Sequence, residues 1–307
     1  MNIWDLKIER RHIKMSLQIT NNIKIREKVL HYQISDEIQL YIRIVSGEKS
    51  GKTALYIHGG GSGGNHTMLL RPAKWLIENS FFSTVILPDR RGEGLSTPLN
   101  KKLTIKDHAK DMKNLLDKLE INEKISVIGI SYGGPIAIEL ANLDSRVDEV
   151  ILMASSPSLK DVKGIQGFLY RTKLLEKITK SFYKKNLGKL SPEYPNFETV
   201  YDLKNSNELT KFFINAIKHT DKKMLESIML QNASTLDKNN SSVSDDFKLD
   251  IPIYQIIGNK DEIWETNIED YKKQFSNISS YLIEGERHKG VILNASLFYE
   301  GLKKIYK

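Results

Sequence analysis

The sequence predicts an α/β fold: a mostly parallel central sheet with helices on both faces, interrupted by an inserted helical block. Three observations predict it. Short, almost wholly apolar runs recur along the chain, and most are followed by a stretch with helical spacing. Strands alternating with helices require right-handed crossovers, which build a parallel sheet buried on two sides. From Pro157 to Lys248 the alternation gives way to helical patterns alone, and it resumes at Ile251.

The elements follow in order. "KIREKVLHYQIS" and "IQLYIRIVS", with a turn at Ser35–Asp36, are rich in β-branched and aromatic residues and read as a leading antiparallel pair. "ALYIH" (Ala54–His58) is a buried strand, and "MLLRPAKWLIEN" a helix after it. "TVILPD" (Thr84–Asp89) is a second buried strand. "TIKDHAKDMKNLLDKLEI" (Thr104–Ile121) is an amphipathic helix with Met112, Leu115, Leu116 and Leu119 on one face. Thr104 and Asp107 have the spacing of a capping box, which satisfies free N–H groups at a helix start. "ISVIGIS" (Ile125–Ser131) is a third strand. "GGPIAIELANL" is a helix with Pro135 in its first turn, where a missing N–H does no harm. "VDEVILMAS" (Val147–Ser155) is a fourth strand.

Residues 157–248 form the inserted block. "FLYRTKLLEKITKSFYKKNL", "NELTKFFINAIKHT" and "DKKMLESIMLQNAS" are its helices, and "KNNSSVSDD" (Lys238–Asp246) is linker-like. Its large residues Phe168, Tyr170, Phe182, Phe212 and Phe213 read as helix packing. Residues 1–156 and 249–307 form the core domain. Its second part holds the strand "IPIYQIIGN" (Ile251–Asn259), the helix "NIEDYKKQFSN", the strand "SSYLIEG" and one final helix, "GVILNASLFYEGLKKIYK".

Composition narrows the function classes. At 40% hydrophobic and 27% charged, the chain can bury a sizeable core like ordinary soluble proteins. No run approaches the roughly 18–20 apolar residues that span a bilayer. The start, "MNIWDLKIERRHIKMSLQIT", lacks the apolar block of a secretory signal. With Cys at 0 there is no disulfide framework, thiolate metal site or cysteine nucleophile. A cytoplasmic protein is the expectation. The net charge of +8 comes from lysines spread along the whole chain, not from an arginine-rich run with interleaved aromatics. It reads as a solvated surface, so neither nucleic acid nor membrane is expected as a partner.

Two glycine-rich stretches lie close together. "SGEKSGKT" imitates a phosphate-binding loop, but Ser46 stands where the first glycine belongs. The strand "ALYIH" follows where a helix is needed to supply N–H groups and dipole. It reads as a solvated hairpin turn between two strands. "HGGGSGG" begins at His58, where a buried parallel strand ends. Ligands of open α/β sheets bind at such carboxyl ends. Glycines there let the backbone approach a substrate closely.

"GISYGG" (Gly129–Gly134) fits G-x-S-x-G between a strand and a helix. That turn is tight enough to need small residues at Gly129 and Gly133, and it thrusts the Ser131 Oγ out of the sheet. The helix start then aims its positive end at the site. The N–H of Tyr132 is one candidate oxyanion donor. The second comes from the loop after "ALYIH": Gly60 first, with Gly59 or Gly61 close behind. Such donors each contribute several kcal/mol of barrier stabilisation, about 3–4 on removal of one.

A serine nucleophile needs a base, and the base an orienting acid. There are 7 histidines. His12 and His31 precede the core, His58 props the glycine loop, His66 follows it, His108 lies on an amphipathic helix and His219 in the insert. His288, in "EGERHKG", stands between the last strand and the last helix and is the candidate base. Asp261, in "GNKDEIW", stands just past a strand and is the candidate acid, with Glu262 and Glu265 as neighbouring alternatives. The order Ser131, Asp261, His288 suits this architecture. The strand ending at Ser155–Ser156 has no acid at its tip.

"HGGGSGG", "PDRRGEGLS", "GISYGG", "GNKDEIW" and "GERH" together resemble the α/β-hydrolase fold family, from about Tyr32 to the end of the chain. "PDRRGEGLS" is similar to the D-x-R-G-x-G-x-S segment of its lid-bearing branch, which includes prolyl iminopeptidases, epoxide hydrolases, esterases and dehalogenases. The hormone-sensitive-lipase-like branch lacks that segment. Epoxide hydrolases and haloalkane dehalogenases carry aspartate where this chain has Ser131. Prolyl iminopeptidases resemble it in H-G-G-P-G-G and G-G-S-W-G, but here Gly61 replaces the proline and the elbow reads Gly-Ile-Ser-Tyr-Gly. The resemblance implies that 157–248 is a cap and that the protein is a serine hydrolase of a small-molecule ester, lactone or related acyl compound, needing no metal or organic cofactor. Two other readings stay open. One is a prolyl-iminopeptidase-like aminopeptidase, with Glu193 and Glu198 available to hold an amine. The other is a ligand-binding protein on the same fold without essential turnover.

Overall fold

The computed structural model describes residues 15–20, 23–60, 64–158, 181, 197–220, 222–235, 240, 248–264 and 268–305. Nine strands in these residues form one sheet: β1 (Met15–Thr20), β2 (Ile23–Ser35), β3 (Ile38–Ser46), β4 (Thr53–Ile57), β5 (Thr84–Pro88), β6 (Ile125–Ile130), β7 (Val147–Met153), β8 (Ile253–Gly258) and β9 (Ile278–Ile283). Their spatial order is β1-β2-β3-β5-β4-β6-β7-β8-β9. The first three strands and the β3–β5 pair are antiparallel, and every pair from β5 to β9 is parallel. The apolar runs behave as expected: every residue of β4 and β6 is buried.

Helices cover both faces. On one face lie α2 (Ile105–Lys118), α3 (Gly133–Leu143) and α6 (Ile268–Gln274). Met112, Leu115, Leu116 and Leu119 pack there with Ile136, Leu140 and Phe275. On the other face, α1 (Thr67–Glu78) and α8 (Ala295–Ile305) bring Leu69, Leu76, Phe298 and Leu302 together. Thr104 and Asp107 form the capping box: the Asp107 N–H donates to Thr104 Oγ1 at 3.2 Å, and the Thr104 N–H to Asp107 Oδ2 at 2.8 Å. No helix among the described residues is long and apolar enough to cross a membrane.

Three expectations change. "GEKSGK" is solvated, but it is not a hairpin turn. Ser46 of β3 and Thr53 of β4 both pair with Thr84, from opposite sides, so β5 lies between the two strands. The loop steps over the start of β5, donating from Gly47 to the Ser83 carbonyl and accepting from Ser83 at Lys52, both at 3.0 Å. The leading pair of strands gains a third member, β1, in the charged N-terminal stretch. The final helix is two: α7 (Gly290–Leu293) ends at Asn294, whose side chain donates to Glu286 Oε1 at 2.8 Å, and α8 starts afresh.

In the insert, a 3₁₀ helix (Phe197–Asp202) precedes α4 (Ser206–His219) and α5 (Lys222–Thr235). The expected helix "FLYRTKLLEKITKSFYKKNL", with Phe168, Tyr170 and Phe182, lies outside the described residues apart from Ser181. Phe212 and Phe213 of α4 pack edge to face against each other beside Val200, Leu209 and Met68. Polar side chains join α5 to the core. Ser227 Oγ accepts the Leu99 N–H at 2.7 Å and donates to the Gly92 carbonyl at 2.8 Å. Ser234 Oγ accepts the Leu103 N–H at 3.1 Å, and Gln231 Oε1 lies 2.8 Å from His108 Nε2. Beyond α5, Asn240 accepts the Ile105 N–H at 2.8 Å and donates to the Tyr132 hydroxyl at 3.1 Å.

Candidate active site

The site forms where β4, β6, β8 and β9 end. Between β6 and α3 the chain turns at Ser131, whose φ is 50°. A non-glycine residue in that region is disfavoured by roughly 1–2 kcal/mol, so its surroundings must hold it. They do: the Ser131 N–H donates to the Met153 carbonyl at 3.1 Å, and the Ser131 carbonyl accepts from Gly134 N at 2.9 Å and from Ser155 Oγ. Only glycine fits beside it. A Cβ on Gly129 would overlap the Gly133 carbonyl, and one on Gly133 would overlap the Ile57 carbonyl.

His288 reaches this serine from the loop between β9 and α7, with Nε2 3.1 Å from Ser131 Oγ. Its Nδ1 lies 2.9 Å from Asp261 Oδ2. A carboxylate accepts only, so Nδ1 carries the proton and Nε2 is left to accept from the serine. Asp261, 4% exposed, is fixed through Oδ1 by the N–H groups of Ile263 and Trp264, each at 2.9 Å. The loops that carry acid and base are tied together: Lys260 N donates to the Glu286 carbonyl at 2.9 Å, and Gly285 N to Asn259 Oδ1 at 2.8 Å. Ser131, His288 and Asp261 are therefore joined in one hydrogen-bonded chain. Glu262 takes the backbone N–H of His288 at 3.2 Å and does not engage its ring. Glu265 lies outside the described residues.

The glycine loop lies against this relay. A Cβ on Gly59 would stand 3.1 Å from Ser131 Cβ, and one on Gly60 3.3 Å from Tyr132 Cβ. Gly59, Gly60 and Tyr132 are thus gathered at the serine. Gly61 lies outside the described residues.

Beneath the loop sits a charged layer that sequence reasoning passed over. His58 is buried, and burial followed by the nearby Arg90 charge lowers its pKa to about 3. The ring is neutral. Its Nε2 accepts the Arg90 N–H at 2.9 Å, so Nδ1 bears the proton and donates to the Gly59 carbonyl at 2.8 Å. Arg90 Nη2 donates to the same carbonyl at 2.8 Å and lies 3.1 Å from Glu93 Oε2. Burial raises Glu93 to about 8, against the pull of Arg90. Asp89 accepts from the His66 backbone and Nδ1 at 2.6 and 2.8 Å and from Leu95 N at 2.8 Å. Burial pushes Asp89 up, but the His66 contacts outweigh it and hold the carboxyl below its ordinary value. His58 thus props the loop, as the sequence suggested. "PDRRGEGLS" signalled a family resemblance but not the buried Arg90–Glu93 pair.

A cavity of about 350 Å³ opens over Ser131 and His288. Met68, Leu209, Phe213, Ile263, Val291 and Ile292 make its walls mostly apolar, and Lys289 also lines it. No carboxylate is among its described lining residues.

Sheet order, serine turn and relay define the class: an α/β-hydrolase fold with its polar groups gathered at the carboxyl ends of the strands. The chain belongs to that family, since the alpha/beta hydrolase fold family's sequence model matches residues 52–295. Solved structures similar to it include a thermophilic esterase from Thermogutta terrifontis. That one has 17% identity and a TM-score of 0.62, with 95% of this chain and 98% of that chain covered. A structure from a study of carboxylesterases of Nitrososphaera gargenis has 19% identity and a TM-score of 0.62, covering 91% and 97%. Est816, described as an N-acyl homoserine lactone degrading enzyme, has 18% identity and a TM-score of 0.60, covering 90% and 99%. An uncharacterised protein of Mycobacterium tuberculosis is 35% identical over 80 residues, which span 26% of this chain and 23% of that protein.

Proposed function

We propose that this protein is a serine hydrolase of carboxylic esters or lactones that carry an apolar acyl group. The observation that carries the reading is the Ser131–His288–Asp261 relay opening onto an apolar cavity. Ser131 Oγ attacks the carbonyl carbon as its proton passes to His288 Nε2. The N–H groups of Tyr132 and Gly60 receive the negative charge that develops on the carbonyl oxygen. The bond to the leaving oxygen breaks as His288 returns the proton to it. Water then adds to the acyl-enzyme with His288 as base, releasing the acid and restoring Ser131. Asp261 keeps the imidazole in the required tautomer and balances its positive charge. Residues 157–248 act as a cap, with α4 supplying Leu209 and Phe213 to the acyl pocket.

An aminopeptidase would need a carboxylate in the cavity to hold the substrate amine, and none is among its described lining residues. The apolar walls suit the acyl group of an ester or lactone; the side chains of Glu193 and Glu198 are not among those described. The test is a fluorophosphonate probe together with short-chain p-nitrophenyl esters, lactones and proline-naphthylamide. Labelling is expected at Ser131, with ester or lactone turnover that Ser131→Ala abolishes. Folded protein that stays unlabelled, or turnover that survives Ser131→Ala, refutes the proposal.

A further inference from the structure

Gly59 and Gly60 share a trans peptide, so the carbonyl of the first and the N–H of the second point in opposite directions. Whatever holds the Gly59 oxygen therefore aims the Gly60 N–H. In a run of three glycines the backbone has little conformational preference of its own, and a flipped peptide would present a carbonyl where a donor is needed. Two groups hold that oxygen: the His58 ring and the Arg90 guanidinium, each at 2.8 Å.

We propose that Arg90 is a positioning residue, clamping the Gly59 carbonyl so that the Gly60 N–H faces the oxyanion formed at Ser131. The inference rests on the serine-hydrolase reading. Arg90 is 0% exposed. Its guanidinium carbon lies 5.1 Å from the centre of the Tyr132 ring, so it also braces the residue that bears the second donor. Glu93 Oε2 lies 3.1 Å from the same Nη2 that holds the Gly59 carbonyl. Arg90 Nε and Nη1 have no hydrogen-bond partner among the described residues. A buried guanidinium is an expensive way to fill space, and an apolar side chain of similar volume would pack there with less penalty. Nor does the motif require it. The D-x-R-G-x-G-x-S pattern leaves the positions of Arg90 and Glu93 open, and the arginine it specifies is Arg91, which pairs with Asp111 at 2.9 Å.

The test compares wild type with Arg90→Met and Arg90→Lys on p-nitrophenyl butyrate. A trifluoromethyl ketone reports on the oxyanion, and butyrate reports on ground-state binding. Arg90→Met should lower kcat about 10²-fold, the scale of a lost oxyanion donor. KM and butyrate affinity should stay within about threefold, while ketone affinity falls in step with kcat. A folded Arg90→Met enzyme with wild-type kcat overturns the inference. So does one whose butyrate affinity falls as far as its ketone affinity. If Arg90→Met does not fold, Arg90→Lys decides: its ammonium ends one atom short of Nη2. A fivefold or greater loss of kcat at constant KM supports the clamp, and wild-type kcat overturns it. Fluorophosphonate labelling separates the two proposals. A wild type unlabelled at Ser131 sinks the hydrolase reading; a labelled one with unaffected Arg90 variants sinks the clamp alone.

Discussion

Glu93→Gln should change how the stability of this protein depends on pH. Glu93 is 1% exposed and has an ordinary pKa of 4.5, which burial raises to about 8. Arg90, Asp89 and His58 face it; the first pulls its pKa down and Asp89 pushes it up. Because the folded pKa lies above the unfolded one, the folded state binds the extra proton between 4.5 and 8. Stability therefore falls as pH rises through that window, by up to about 1.4 kcal/mol per pH unit. Below 6.5 the trend is masked. His58, with a folded pKa of about 3 against an ordinary 6.5, makes stability rise with pH between those values. Asp111, raised to about 6 mainly by burial, acts in the same sense as Glu93 between 3.8 and 6. The informative range is pH 6.5 to 7.5, where Glu93 makes the largest of the three contributions and the smaller ones of His58 and Asp111 are shared with the variant. There the wild type should lose about 1 kcal/mol from this group, which corresponds to roughly 2–4 °C in Tm for a large domain. Glutamine cannot ionise, so the variant should lack that slope. Scanning calorimetry of both proteins at three pH values, with the variant subtracted, cancels the other histidines. A difference that is flat with pH refutes the reasoning. That flat difference is the result expected if Glu93 is already ionised at pH 6.5 and paired with Arg90.

Two further predictions follow from single contacts. Asp261→Asn presents an amide to His288 Nδ1 and favours the wrong ring tautomer, so kcat for an ester should fall about 10³–10⁴-fold while the fold is kept. Stopped-flow hydrolysis and circular dichroism check both halves. Ser227→Ala leaves the buried Leu99 N–H and Gly92 carbonyl without the hydroxyl that joins them. About 1–3 kcal/mol per group should be lost in urea unfolding, with the active-site relay untouched.

What could be read from the chain and what could not divide along a physical line. Ser131, Asp261 and His288 were legible because each stands within a few residues of a strand's carboxyl end, and strand ends leave local marks: an apolar run, then glycine, then polar residues. The capping box of Thr104 and Asp107 is equally local. Sheet order is not. Nothing in "SGEKSGKT" reveals that β5 will slide between β3 and β4, because that pairing is decided by residues about forty positions later in the chain. The polar seam under α5 had a faint signal. Ser227, Gln231 and Ser234 recur at helical spacing on one face, but such a stripe is ordinarily assigned to water. Arg90 and Glu93 had none, since charged residues are the ones expected outside. Their burial follows from a demand that appears only in three dimensions. A loop made of glycines for close approach cannot hold its own peptide planes, so the planes must be held from beneath. The groups strong enough to do so in a dry layer are charged or carry paired hydrogen bonds. On the proposed reading, the freedom that suits "HGGG" to a donor loop is also what gives the buried Arg90 below it a carbonyl to hold.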